Sequence, residues 1–176
     1  MTGRHRNRFL PLVILICWTL LIGGLGCTKE EKARIGDLAK DFSLPALNGQ
    51  TISLRQFKGQ NVFLFFWSSG CVFCQTRQIV HVNEIYQQGR QSNLTVLAVN
   101  IAESKGDVAE FVKQKELIFP VLLDRDASVS RRKYDVYIVP TLFVIDPEGR
   151  IREKVSGFLT QETLFAFLAP YLIKRN

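Results

Sequence analysis

The sequence of 176 residues contains few cysteines and few histidines. Of four cysteines, Cys17 and Cys27 belong to an apolar N-terminal segment, which leaves only Cys71 and Cys74 for the rest of the chain. A small secreted protein held together by disulfides would need more bridges at wider spacing, so that class is excluded. A Cys-X-X-Cys zinc site needs two further ligands, whereas His81 is the only histidine after the N-terminal segment. We therefore predict no bound metal.

The chain also lacks the pattern of a nucleic-acid-binding protein. Its formal net charge is +7, of which Arg4, Arg6 and Arg8 contribute +3, so the residues after Cys27 carry only +4. No cluster of lysines and arginines is interleaved with aromatic residues. We therefore predict no nucleic-acid partner.

The first 27 residues have the pattern of an export signal. Three arginines precede residues 9–25, which carry no charge and barely suffice to cross a membrane. Leu25-Gly26-Cys27 resembles the end of a bacterial lipoprotein signal, although Gly24 stands where an aliphatic residue is usual. Three outcomes remain open: a lipidated Cys27, a retained anchor, or cleavage and release. In each of them the folded part lies outside the cytoplasm.

Two segments follow the signal. Residues 28–40 are short and highly charged, which predicts a solvated tether. Residues 41–176 show no repeat and no domain break, and their apolar runs alternate with helical spacing. They predict one α/β domain with a mixed sheet between helices.

The predicted elements begin with a small hairpin around Asn48-Gly49. A buried strand over 62–67 is followed by a helix that starts at Cys71 and stops before Gly89. The later elements are a strand over 94–100, a helix capped by Ser104, a strand over 119–123, a short helix over 127–134, a strand over 141–145, an antiparallel return over 150–156 and a final helix capped by Thr160.

Cys71 and Cys74 are spaced for redox chemistry. At a helix start the first thiol is exposed, and unpaired backbone N–H groups favour its thiolate. This thiolate can attack a partner disulfide, and Cys74 can then resolve the mixed disulfide. Gln75 stands where covalent haem attachment would need histidine. We predict a redox-active disulfide between Cys71 and Cys74 and no other cofactor.

Val139-Pro140-Thr141 enters a predicted buried strand, where proline has no N–H to donate to a neighbouring strand. Such a proline is either a cis-proline kept for its shape or an ordinary strand-entry proline. The sequence is compatible with both interpretations. Trp67, at the end of the buried strand, is predicted to be a core residue with one edge at the site.

Several segments share a pattern with a known family. They are residues 66–74 (FWSSGCVFC), 99–105 (VNIAESK), 119–124 (FPVLLD), 139–141 (VPT) and 145–150 (IDPEGR). In register they resemble the thioredoxin-like TlpA/ResA family over about residues 41–174. The resemblance implies a three-layer thioredoxin-like fold, with a central mixed sheet, helices on both faces, an N-terminal β-hairpin and a β-α insert.

The resemblance also implies a function. Members of this family are thiol-disulfide oxidoreductases tethered to the bacterial cell membrane on its extracytoplasmic side. Their partners are protein disulfides. In ResA-like members the partner is the oxidised Cys-X-X-Cys-His of an apocytochrome c. We expect a membrane thiol-disulfide donor to re-reduce the oxidoreductase's own cysteine pair. Pro140 matches the family's cis-proline and, with Val139, would shape the partner-binding surface. We predict a reductase with Cys71 as nucleophile and Cys74 as resolving thiol.

Departures from the family pattern concern the site itself. Gly70 replaces a usual tryptophan, and Val72-Phe73 replaces a frequent Glu-Pro pair. Arg77 stands where ResA-like proteins carry a glutamate, and would either favour a thiolate or be a solvated surface residue. Glu103 matches a cavity carboxylate of the family, and would either handle protons or belong to the first turn of the following helix.

Two other functions on the same fold remain as alternatives. A copper chaperone would bind Cu(I) through the two thiolates, but the histidine that such proteins add late in the chain is missing. A thiol peroxidase would carry serine or threonine three residues before its cysteine and proline seven before; Ser68 fits and Leu64 does not. Titrating the reduced pair with Cu(I) and with peroxide separates these functions from disulfide exchange.

Overall fold

The computed structural model of the chain describes residues 32–89 and 92–172. The predictions for the signal, including lipidation at Cys27, lie outside the described residues. Within the described ranges, every helix is too short or too polar to cross a membrane.

Seven strands and three α-helices form the described part of the chain. The strands are β1 (Ser43–Pro45), β2 (Thr51–Ser53), β3 (Asn61–Trp67), β4 (Leu94–Ile101), β5 (Val121–Asp124), β6 (Thr141–Ile145) and β7 (Ile151–Ser156). The helices are α1 (Ile79–Gly89), α2 (Lys105–Gln114) and α3 (Gln161–Leu172), together with a 3₁₀ helix (Leu54–Phe57) and two π-helical turns (Cys74–Gln78 and Ser128–Lys133).

Strand β3 is the centre of a five-stranded mixed sheet with the order β5-β4-β3-β6-β7. It pairs in parallel with β4 and antiparallel with β6. Residues 62–67 are all buried, because helical segments or the hairpin cover both faces of the sheet. The unbroken apolar run of β3 is the sequence pattern of such a central strand.

Alternate residues of β3 contribute to two cores. Phe63, Phe65 and Trp67 face a core that includes residues of all three α-helices. Leu64 and Phe66 face the opposite core, which contains the hairpin, the 3₁₀ helix and the turn Ser128–Lys133. The predicted three-layer thioredoxin-like arrangement is confirmed.

The two family-specific additions are present. Strands β1 and β2 form a separate antiparallel hairpin, in which Gly49 has a φ of +88° that favours glycine. Helix α2 and strand β5 follow β4 directly, and β5 pairs in parallel with β4 at the edge of the sheet. This is the predicted β-α insert.

The prediction of a solvated tether is wrong for residues 33–40. The N–H groups of Gly36 and Ala39 donate to the carbonyls of Ile151 and Gly149, both at 2.8 Å. Ala33 is buried. The charged side chains of this segment predict a solvated chain. Its backbone nevertheless pairs beside the outer edge of β7, where unpaired N–H and C=O groups of the sheet are available.

Candidate active site

Cys71 and Cys74 lie directly beyond the end of β3. Residues 68–70 form a turn, and the Cys71 carbonyl accepts the N–H of Gln75 at 3.0 Å, which starts the helix. Cys71 is partly exposed, whereas Cys74 has no exposed surface. The structure therefore places one thiol where a partner can reach it and the other behind it, as the spacing predicts.

The sulfur of Cys71 has two polar neighbours. It accepts a hydrogen bond from the backbone N–H of Cys74 at 3.2 Å and donates to the Val139 carbonyl at 3.5 Å. Both cysteines are free thiols in this structure. A negative charge that develops on Cys71 during exchange would therefore face a backbone donor.

Pro140 lies on the other side of Cys71. It is buried, and the peptide bond between Val139 and Pro140 is cis, so the first of the two interpretations holds. Its carbonyl accepts the N–H of Gly157 at 2.8 Å. The contact through Val139 brings the Pro140 loop and the cysteine pair together, as predicted.

Trp67 is a core residue. It has no exposed surface and packs against Phe111 of α2, with ring centroids 5.3 Å apart. Its indole Nε1 has no hydrogen-bond partner among the described residues. Trp67 therefore lies in the core directly before the turn, with no part of its side chain exposed at the site.

Glu103 holds the turn before Cys71. Its carboxylate accepts the backbone N–H of Ser69 at 2.9 Å, the Ser69 hydroxyl at 2.5 Å and the side-chain amide of the buried Asn100. Ser104, which follows it, caps α2 by accepting the N–H of Asp107. Glu103 therefore precedes the helix rather than belonging to its first turn.

The same contacts favour the ionised form of Glu103. Partial burial alone would raise its pKa, but the hydrogen bonds from Asn100 and Ser69 outweigh this effect and hold the pKa below its usual range. A carboxylate that stays ionised and has these donors is suited to positioning the turn. It is poorly suited to taking up and releasing protons near neutral pH.

Arg77 is exposed on the outer side of the helix, which corresponds to the surface alternative. Burial raises the pKa of the Cys74 thiol well above its ordinary value, and the hydrogen bond with Cys71 raises it further. The hypothesis that Arg77 favours a thiolate at Cys74 is therefore not supported.

The raised pKa of Cys74 predicts a pH-dependent stability of the reduced protein. The unfolded chain releases the Cys74 proton near the ordinary value of 9.0, whereas the folded protein keeps it, so unfolding is favoured as pH rises above 9. The free energy of unfolding should fall by up to about 1.4 kcal/mol for each pH unit in this range. Urea denaturation with a phosphine reductant between pH 8 and about pH 10 measures this slope.

Cys74→Ala is the matched control for this slope, because the variant lacks the titrating thiol. Tyr134 and Tyr171 also have raised pKa values, but the wild type and Cys74→Ala both contain them, so their contribution cancels in the comparison of the two slopes. Equal slopes for the wild type and Cys74→Ala would contradict the prediction.

Several residues at the site are not predicted from the sequence. The side chain of Gln78, fully buried, accepts the N–H of Leu159 at 2.9 Å. Phe158 stacks on Phe73 with ring centroids 6.2 Å apart. These contacts join the start of the helix to the segment after β7, and no local sequence pattern marks them. The contact between Ser69 and Glu103 has a signal, because β3 and β4 are parallel and both residues follow their C-terminal ends.

Exposed apolar side chains directly follow Cys71 in the sequence and directly precede Val139, which contacts the Cys71 sulfur. Val72 is 68% exposed and Phe73 62%, and on the Pro140 side Tyr137 is 71% and Ile138 63% exposed. A cluster of this kind marks a surface that another molecule covers. We call these four residues the apolar collar.

Groups that could hold a metal ion are absent from residues 32–89 and 92–172, where no three histidine, cysteine or acidic side chains converge. The two thiols are the ligands that the site itself offers. Their arrangement is that of an exchanging dithiol, with one sulfur exposed and one buried.

Comparisons with known proteins agree with this geometry. The profile of the AhpC/TSA family matches residues 35–154. The chain is 35% identical over 170 residues to thiol-disulfide oxidoreductase ResA of Bacillus thuringiensis subsp. konkukian (strain 97-27), which covers 93% of this chain and 96% of the relative.

Solved structures show the same similarity. A Chlorobium tepidum protein described as thiol:disulfide interchange protein DsbE superimposes with a TM-score of 0.74 at 30% identity, over 81% of this chain and all of that one. StoA of Bacillus subtilis gives a TM-score of 0.64 at 26% identity, over 74% of this chain and 97% of that one. The chain therefore belongs to the AhpC/TSA family and is a thioredoxin-like thiol-disulfide oxidoreductase of the TlpA/ResA family.

Proposed function

We propose that this protein is a membrane-tethered, extracytoplasmic reductase of protein disulfides. The observation that carries the proposal is the unequal exposure of the two thiols, with Cys71 accessible and Cys74 fully buried and held in its protonated form. A pair of this kind reacts in a fixed order, because only one sulfur can be reached by a partner.

The reaction has two steps. The Cys71 thiolate attacks one sulfur of the partner disulfide, which forms a mixed disulfide and releases the other partner sulfur as a thiolate. The Cys74 thiol then passes its proton to that thiolate and attacks the Cys71 sulfur. As the Cys71–Cys74 disulfide forms, the remaining partner sulfur leaves as a thiolate and takes up from solvent the proton that Cys71 had released on ionising. The partner therefore leaves as a dithiol that has gained two electrons and two protons.

The surface around the pair supports a polypeptide as substrate. The apolar collar belongs to the two segments that meet at the reacting sulfur, one directly after Cys71 and one directly before Val139, whose carbonyl contacts that sulfur. An oxidised Cys-X-X-Cys-His segment of an apocytochrome c is the partner that we propose from the resemblance to ResA-like proteins. A membrane thiol-disulfide donor would restore the dithiol after each turnover.

The N-terminal sequence supports the location. Its arginines and apolar run would direct export, and either lipid on Cys27 or a retained apolar segment would hold the domain at the membrane. A Cys27→Ala variant that still partitions with membranes would assign the tether to the apolar segment.

Substitution of the resolving thiol tests the whole proposal. In Cys74→Ala the second step is blocked, so Cys71 should remain in a mixed disulfide with its protein partner. The adduct is measured on non-reducing gels of membranes that express the variant, and mass spectrometry identifies the partner. Cys71→Ser is the control and should give no adduct.

The reduction potential of the Cys71/Cys74 pair decides the direction of electron flow. A value near about −270 mV would indicate a reductant and a value near about −120 mV an oxidant. The absence of any Cys74→Ala adduct in membranes, or an oxidising potential, would overturn the proposal of a reductase.

A further inference from the structure

A cavity of about 200 Å³ opens beside the cysteine pair. Ser68 and Val139 line it on the side of the pair, and Ile101, Tyr137 and Arg131 are among the residues of its other walls. A cavity of about 150 Å³ can hold a molecule of the size of benzene, so this one has room for a single side chain.

Two of the residues that line the cavity also contact Cys71, the residue with the reacting sulfur. Val139, whose carbonyl contacts the Cys71 sulfur at 3.5 Å, and Ser68, whose carbonyl accepts the Cys71 N–H at 3.3 Å, both line it. A partner whose own sulfur meets Cys71 therefore has a residue next to its cysteine close to the cavity. The identity of that neighbouring side chain should affect the rate of exchange.

Arg131 gives the cavity its charge. It belongs to a basic run, but its two neighbours are already engaged: Arg132 lies 3.6 Å from Asp126, and the Lys133 ammonium donates to the Asp41 carbonyl at 2.7 Å. Arg131 is exposed and forms no ion pair within the described part of the chain. Its guanidinium is therefore available to a ligand.

Hydrogen bonds to the buried Asp124 hold in place the backbone turn that carries Arg131. The buried Asp124 accepts the N–H groups of Val129 at 3.1 Å and Ser130 at 2.7 Å, so both of its oxygens fix the turn that carries the arginine. A cation on a fixed backbone loses less freedom when it binds an anion than one on a loose loop. Two acidic residues lie near this end of the sheet, Glu103 after β4 and Asp124 at the end of β5, and the carboxylates of both are occupied by hydrogen-bond donors.

We infer that this cavity is a specificity subsite for an acidic residue adjacent to the reactive cysteine of the protein partner. The inference rests on the proposed function, because it concerns the partner of the same exchange reaction. The apolar walls would cover the methylene groups of a glutamate, and the Arg131 guanidinium would pair with its carboxylate in the planar geometry that arginine favours.

Matched peptide disulfides test the inference. Each peptide carries one cysteine in a mixed disulfide with 2-mercaptoethanol, and Glu, Gln or Lys stands on one side or the other of that cysteine. The second-order rate constant for oxidation of the reduced protein is measured by acid quenching and mass spectrometry. We expect the Glu peptide to react about five-fold faster than the Gln peptide at low salt, with Lys slower still, on at least one side of the cysteine.

Three variants locate the source of this preference. Arg131→Gln should bring the ratio of the Glu and Gln rates close to one, and Arg131→Glu should reverse it in favour of Lys. Arg77→Gln is the matched control, because it removes an exposed arginine that does not line the cavity. Salt at about 1 M should reduce the wild-type preference, because charges are then screened within about 3 Å.

The outcomes separate the subsite from the reaction. Equal rates for all three peptides in the wild-type protein, or an equal loss of preference in Arg77→Gln, would overturn the subsite and leave the proposed function standing. Failure of the reduced protein to react with any of the peptides would count against the proposed function itself.

Discussion

Alkylation of the reduced protein at neutral pH is expected to modify one thiol, Cys71, and to leave Cys74 at least about 100-fold slower. The two sulfurs are three residues apart, but their surroundings differ. Cys71 is partly exposed, whereas Cys74 has no exposed surface and burial raises its pKa. A buried thiol that stays protonated presents neither the thiolate nor the access that an alkylating reagent requires.

Iodoacetamide labelling followed by peptide mass spectrometry gives the two rates separately. Cys71→Ser should lose the fast phase, and Cys74→Ser should keep it, so the pair of variants assigns each rate to a sulfur. Comparable labelling of both cysteines in the native protein would show that Cys74 is accessible. The fixed order of the two exchange steps would then lose its structural basis.

Removal of the Glu103 side chain is expected to destabilise the protein clearly, although the cysteines stay in place. Glu103→Ala takes the acceptor away from the Ser69 N–H and hydroxyl groups and from the side-chain amide of the buried Asn100. The Asn100 carbonyl oxygen already lacks a partner among the described residues, so its whole amide would be unsatisfied. The expected cost is about 2–3 kcal/mol in the free energy of unfolding, measured by urea denaturation at pH 7.

Glu103→Gln is the matched control, since it keeps an acceptor and removes the charge. Folding lowers the pKa of Glu103 from its ordinary value of 4.5, so the ionised carboxylate stabilises the folded protein above that pH. This stabilisation is lost as the pH falls through the folded-state pKa. The advantage of the wild type over Glu103→Gln should therefore be present at pH 7 and disappear in acid. A loss below about 0.5 kcal/mol for Glu103→Ala would contradict the positioning role, since surface substitutions reach that size.

The sequence predicts the central strands β3 and β6 well because each carries an unbroken apolar run, residues 62–67 and 142–145. The strand over 141–145 has the predicted bounds, and β3 begins one residue before the predicted start. The cysteine pair and Pro140 follow from motifs that need particular residues at particular spacings. Their contact through Val139 needs only the pairing of β3 with β6, which brings the end of one strand beside the start of the other.

Other parts of the site depend on information that no local pattern carries. The docking of residues 33–40 is made by backbone groups, which every sequence possesses, so the charged side chains of that segment are misleading. The role of Glu103 depends on which of its neighbours supply donors, and the exposure of Arg77 depends on the rotation of the helix about its axis. The cavity beside Arg131 forms from three segments, at Ser68, at residues 101–102 and within residues 131–139, each about thirty residues from the next along the chain.

The segment after β7 determines how far the two sides of the active site can separate. The N–H of Gly157 donates a hydrogen bond to the Pro140 carbonyl, and the N–H of Leu159 donates to the buried Gln78 side chain. Between them, Phe158 stacks on Phe73. This short segment links the helix that carries the cysteines to the Pro140 loop that faces them. We therefore expect the separation between the cysteine-bearing helix and the Pro140 loop to be nearly the same in the dithiol and the disulfide. The protein would then distinguish the disulfide form of its partner, which it reduces, from the dithiol form, which it releases, through contacts at the sulfur atoms themselves.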